Sequence, residues 1–249
     1  KQGLFSRPTV LCCSAIEFPY ALDMILGNPS VPPEEEDIFI KKPMDCTEVL
    51  FGIAKLLGFS YSMSIQDFGK YKIYGFDNTE SQYEYINPDS WINENLISGN
   101  WDEMLRFAYT IHSGYTPASI IIPKFINRFD DPVFLGFREL GRIQQTIFIL
   151  KYIENLQLRQ TIENHFAKSG FHQKLSGLIQ KPRKRLEFIG YEDRQLNGGC
   201  KNLINNCIMA WNYLYLSNKM RERSADIEEL TQTIKYGFIP VWNHIDMTK

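Results

Sequence analysis

Between residues 137 and 156, apolar side chains recur at Leu140, Ile143, Ile147, Leu150 and Ile153. Steps of three and four put them on one side of an α-helix, and no strand of ordinary length accommodates so long a run. A second stripe of Leu203, Cys207, Trp211 and Leu214 predicts a helix from near Gly199 to about Met220. Residues 101–112 and 117–129 also read as helices. The second half of the chain is therefore expected to be helical, which excludes a sheet-dominated fold.

The first part reads differently. Residues 8–13 and 37–40 are short apolar runs rich in β-formers, and both are expected to be core strands. Residues 21–26 read as a helix between them, closed by Gly27-Asn28-Pro29. Strand, helix, strand predicts an α/β layer with the two strands as neighbours in one sheet. Residues 47–57 read as a helix ending at Gly58, and residues 71–76 as one isolated strand. The expected fold class is α+β, mostly helical.

Composition narrows the function. A chain of 249 residues with 44% hydrophobic content buries a sizeable core. Its 27 Lys and Arg against 29 Asp and Glu leave a net charge of -2, so any surface for nucleic acid must be local. The densest positive charge is Lys181-Pro182-Arg183-Lys184-Arg185, with Lys168, Lys174, Arg194 and Lys201 nearby. Residues 165–201 carry eight basic and three acidic side chains, hence +5. Such a cluster suits phosphates as well as it suits a solvated loop.

The cysteines, Cys12, Cys13, Cys46, Cys200 and Cys207, form no Cys-x-x-Cys pair and no zinc-finger spacing. No uncharged apolar run approaches the roughly 20 residues that cross a bilayer, so a cytoplasmic chain with no membrane partner is expected. The sequence starts at Lys1 rather than Met and is expected to be a piece of a longer protein. The acidic run Glu34-Glu35-Glu36-Asp37 is read as a solvated loop before a metal cluster. His165 and His172 are read as surface or packing histidines, and Trp101, Trp211 and Trp242 as core residues before base-stacking ones. Gly198-Gly199 lacks the setting of a phosphate loop and is expected to open the Trp211 helix.

Several ordered segments resemble the replicative transposases of the Tn-three family. They are Thr47-Glu48-Val49-Leu50-Phe51-Gly52 with Leu56-Leu57-Gly58-Phe59, then Trp101-Asp102-Glu103-Met104-Leu105-Arg106 and Thr116-Pro117-Ala118-Ser119. Arg138-Glu139-Leu140-Gly141-Arg142-Ile143, Asn202-Leu203 with Trp211-Asn212, and Trp242-Asn243-His244-Ile245 follow. No single motif decides; their shared order and spacing across almost the whole chain carries the resemblance.

The resemblance implies a DDE transposase with an RNase H-like core, in which two Asp and one Glu hold a pair of Mg²⁺ or Mn²⁺ ions. It implies a partial core at residues 1–61, a helical insertion at 62–135 and a C-terminal helical part at 136–249. The first Asp falls upstream of Lys1. Where the second belongs the chain reads Phe39-Ile40-Lys41-Lys42, so Ile40 or Lys42 stands in its place. An alkyl group offers no donor and an ammonium repels a dication. Gly170 stands where the Glu belongs.

Both positions that this chain covers thus depart from the pattern. The remaining weak catalytic candidates are Asp45, Glu48 and Glu163, and no metal ligand set is assigned. The expectation is a transposase-like, DNA-binding and catalytically inactive chain, with Lys181, Arg183, Lys184 and Arg185 on the phosphates of transposon ends. No cofactor is expected; an active enzyme with displaced carboxylates would need Mg²⁺ or Mn²⁺. A domesticated regulator that binds DNA or protein is the other alternative, and homodimerisation is open.

Overall fold

The computed structural model describes residues 16–27, 37–40, 46–65, 67–76, 87–180 and 190–223. Among them the fold is α+β and mostly helical. The described residues form two compact units, one up to His165 and the other from Phe166 on.

In the first unit, β1 (Asp37–Ile40) pairs in parallel with β2 (Ser60–Met63), from Asp37 opposite Ser60 to Ile40 opposite Met63. Parallel neighbours cannot be joined by a tight turn, and α2 (Thr47–Leu56) provides the crossover. β1 lies where the sequence puts it. β2 does not stand out in the sequence because Ser-Tyr-Ser-Met alternates polar and apolar residues over only four positions, and in the fold Tyr61, Ser62 and Met63 are all buried. This strand runs across positions 61 and 62. Residues 8–13, the other expected strand, lie outside the described residues, as do Glu34, Glu35 and Glu36.

Helix α2 ends as its sequence predicts. Gly58 adopts φ +82, a region open to glycine at little cost, and the Phe59 and Gly58 amides donate to the Ala54 and Lys55 carbonyls at 2.9 and 3.2 Å. The helix buries Thr47 and every residue from Val49 to Ala54. It is a core helix, enclosed on most sides.

Its main partner is α6 (Pro132–Glu154), which starts with Pro132 at its first position and the Asp131 carboxylate accepting from the Val133 amide at 2.8 Å. The two helices meet backbone to backbone. A Cβ on Gly141 would collide with the Glu48 carbonyl, and one on Gly52 with the Phe137 carbonyl. This approach decides which side of α6 turns inward: Phe134, Phe137, Gly141, Gln145, Phe148 and Tyr152 are buried. The expected core stripe is corrected accordingly, since Ile147, Leu150 and Ile153 are exposed.

The stretch read as an insertion is tied to the rest of this unit. The Asp23 carboxylate on α1 (Glu17–Leu26) accepts from the Ala118 and Ser119 amides at 2.6 and 3.0 Å, at the start of α5 (Ala118–Phe125). The expected strand at 71–76 shrinks to β3 (Tyr74–Gly75), which is not isolated but paired in parallel with β4 (Ser90–Trp91). A short α3 (Glu94–Gly99) precedes α4 (Trp101–His112), whose bounds are those read from the sequence. Trp101 is exposed at the start of α4, so it is not a core residue.

Helix α7 (Leu156–Gln180) runs through the division between the units, and α8 (Tyr191–Arg223) belongs to the second. α8 begins eight residues before Gly199, so Gly198-Gly199 lies inside a helix rather than at its entry. Here too the sequence stripe is not the buried face. Leu203, Trp211 and Leu214 are exposed, whereas Asn205, Ile208 and Asn212 are buried. Trp211 stacks on Tyr215 instead, with centroids 5.2 Å apart; Trp242 lies outside the described residues. Among the described residues no helix is long and apolar enough to cross a membrane.

Candidate active-site region

Ile40 is the last residue of β1, buried and paired with Met63. In parallel α/β layers ligands sit beyond the carboxyl ends of strands, and there this chain presents an alkyl group. Within the first unit, the His165 ring near the middle of α7 stacks on Phe39 of β1, centroids 4.1 Å apart and 19° from parallel. Gly170 follows five residues later on α7, and among the described residues nothing lies within 4 Å of a Cβ built there. No described residue crowds the place of a side chain at Gly170.

Asp45 and Lys42 lie outside the described residues, as do Lys181, Arg183, Lys184 and Arg185. The side chains of Lys168, Lys174 and His172 are likewise undescribed. Glu163 is exposed on α7. It lies near enough to Tyr152 to help raise that phenol's pKa, after burial.

Glu48 is committed elsewhere. One of its carboxylate oxygens accepts from the Tyr74 hydroxyl, and the other from Arg142 Nε at 3.0 Å. Arg142 Nη1 also donates to Glu139 Oε1 at 2.6 Å, and the Glu139 side chain is 3% exposed. The second Glu139 oxygen accepts from the Asn93 amide at 3.2 Å. The Arg142 guanidinium sits 4.9 Å from the centroid of the Tyr74 ring, whose backbone amide donates to Thr146 Oγ1 at 3.1 Å. Burial alone would lower the Arg142 pKa, but Glu48 and then Glu139 outweigh it and the net direction is upward. Tyr74 is pushed up by burial and by its bond to Glu48. The cluster locks α2, α6, β3 and the start of α3 together, with Arg142 held cationic at its centre.

Sequence reading missed the roles of Arg142, Glu139 and Tyr74. The signal was present as Arg138-Glu139 with Arg142 three residues on, charges embedded in an otherwise apolar helix. Among the described residues no group of three or more His, Cys, Asp or Glu is arranged to hold a metal ion.

Comparison with known proteins bears on this region. Residues 6–248 match the family described as the Tn3 transposase DDE domain. The chain is 26% identical over 216 residues to the transposase for transposon Tn3926 of Escherichia coli, covering 81% of this chain and 21% of that protein. With the transposase for transposon Tn1546 of Enterococcus faecium it shares 28% identity over 212 residues, with the same coverage. With that for transposon Tn501 of Pseudomonas aeruginosa it shares 26% over 219 residues, again at 81% and 21%. The chain thus spans about a fifth of the length of these relatives.

Proposed function

The chain belongs to the family of the Tn3 transposase DDE domain, and from that premise we propose that it engages DNA at transposon ends without catalysing strand transfer. What carries the second half of this reading is the residue pair Ile40 and Gly170. The paired divalent ions of the family need carboxylate oxygens at these positions. A branched alkyl side chain at a strand end and a bare backbone on a helix do not fit that requirement, and Lys42, in the other register, fits it no better. Glu48 does not substitute for them, because both of its oxygens are held by Tyr74 and Arg142. Residues 62–135 then form the insertion between the two vacated positions.

The DNA half of the reading rests on the relatives being transposases and on the +5 balance of residues 165–201. In this scheme Lys181, Arg183, Lys184 and Arg185 hold phosphates, and such bonds add affinity without reading bases. The test is a salt titration of binding to transposon-end duplex and to an unrelated duplex. Replacing Arg183, Lys184 and Arg185 by Ala is expected to weaken both equally and to reduce the salt slope by roughly 0.9 for each phosphate no longer neutralised. An unchanged affinity and slope would show that these side chains are only solvated. Salt-independent behaviour with no measurable DNA affinity would favour a protein-binding regulator.

A further inference from the structure

We infer that residues 67–76 and 87–92, which carry β3 and β4, form a strap over α6 that opens as one unit while α2 and α6 stay folded, with Tyr74 as its clasp. The inference does not depend on DNA binding or on the state of the catalytic positions. At one end of the strap the Phe68 ring meets the Tyr152 ring, centroids 5.9 Å apart. At the other the Asn93 amide donates to Glu139 Oε2 at 3.2 Å. Tyr152 and Glu139 stand thirteen residues apart on α6, so the strap runs about 20 Å along that helix.

Between those ends the attachment is narrow. From Asp67 to Trp91, Tyr74 is the one described residue that is buried, while Phe68, Phe76 and Trp91 are exposed. Its two polar bonds reach both helices: the hydroxyl donates to Glu48 on α2, and the amide donates to Thr146 Oγ1 on α6 at 3.1 Å. Among the described residues no other hydrogen bond joins residues 67–91 to α2 or α6. A region with so few buried side chains opens at a lower free energy than the enclosed helices beneath it.

The strap is bonded more fully to itself. The Asp89 amide donates to the Ile73 carbonyl and the Ile73 amide to the Asp89 carboxylate, both at 2.8 Å. The Ile92 amide donates to the Gly75 carbonyl at 2.9 Å, and the Trp91 ring lies over Gly75, where a Cβ would clash with it. These bonds couple the two pieces, so that neither leaves without the other. Two strands of two residues do not hold together in water once detached, and release of the clasp therefore turns the whole strap from order to disorder. What opening uncovers is the ion pair of Glu48 and Arg142, over which the Tyr74 ring stands 4.9 Å from the guanidinium. That pair sits at the head of α2, the helix that follows β1.

Hydrogen exchange on the full chain tests the strap. The amides of Tyr74, Asp89 and Ile92 are expected to exchange as a group, faster than those of α2. Tyr74→Phe keeps the ring and removes the hydroxyl, and is expected to speed these three amides about tenfold, the worth of a hydrogen bond to a charged group, with α2 and α6 rates unchanged. Thr146→Val removes the other anchor without touching the charges, and is expected to act in the same direction. Strap amides as slow as those of α2 in the unsubstituted chain would overturn the inference. So would a Tyr74→Phe variant in which the strap does not change, or in which α2 and α6 accelerate as much as the strap does.

Discussion

Gly141 and Gly170 stand on successive long helices, and their surroundings are opposite. At Gly141 the backbone of α2 occupies the space of a side chain, so that a Cβ would strike the Glu48 carbonyl and lie 3.1 Å from the Gly52 nitrogen. At Gly170 no described residue approaches within 4 Å of that point. One glycine is required by close helix packing, and the other meets no such demand from the described residues. The difference separates a close helix contact between α2 and α6 from a helix position that, on the proposed reading, stands where the family carries a ligand.

The comparison can be broken most forcefully at Gly141. Gly141→Ala is expected to destabilise the unit up to His165 by more than about 4 kcal/mol, the exceptional range for one substitution, because a carbonyl on an enclosed helix has little room to yield. Chemical denaturation measures it, and a loss under about 1 kcal/mol would mean that α2 and α6 do not meet through their glycines. Arg142→Ala follows at about 3 kcal/mol, since it leaves the enclosed Glu139 carboxylate with only Arg138 Nε, 3.8 Å away, as a cation. A neutral result in the same measurement would place the cluster in water.

Smaller effects sharpen the contrast. Asp23→Ala removes two amide bonds at the start of α5 and should cost about 1 to 2 kcal/mol. Gly170→Ala should move the other way, stabilising by about 0.5 to 1 kcal/mol, because a helix-interior glycine is replaced where there is room. If Gly170→Ala instead destabilises the protein, some feature of α7 requires glycine and the contrast with Gly141 fails.

The element types were largely legible in the sequence. Helix α4, the ends of α2 and strand β1 follow from spacing and from Gly58. The buried faces were not. On α6 the isoleucine and leucine stripe is the conspicuous pattern, yet the approach at Gly141 and the Glu139–Arg142 pair turn the phenylalanine side inward. A period identifies a helix but does not say which of two apolar sides meets a neighbour. Likewise β2 is too short to stand out: Ser-Tyr-Ser-Met alternates over only four positions, and its pairing with β1 is what makes it a strand. The departures from the family pattern at Ile40 or Lys42 and at Gly170 are readings of residue type alone, since none of these residues offers a carboxylate in any fold. The Glu48 partnership was not legible, since Tyr74 and Arg142 reach it from 26 and 94 residues away.

The most direct test of the account is metal-dependent cleavage and joining of transposon-end DNA by the full-length protein in Mg²⁺ or Mn²⁺, alongside Asp45→Ala and Glu163→Ala. The account predicts no metal-dependent product from the unsubstituted protein. Cleavage that requires the metal and disappears in those two variants would contradict it, and would establish a working site built from displaced carboxylates.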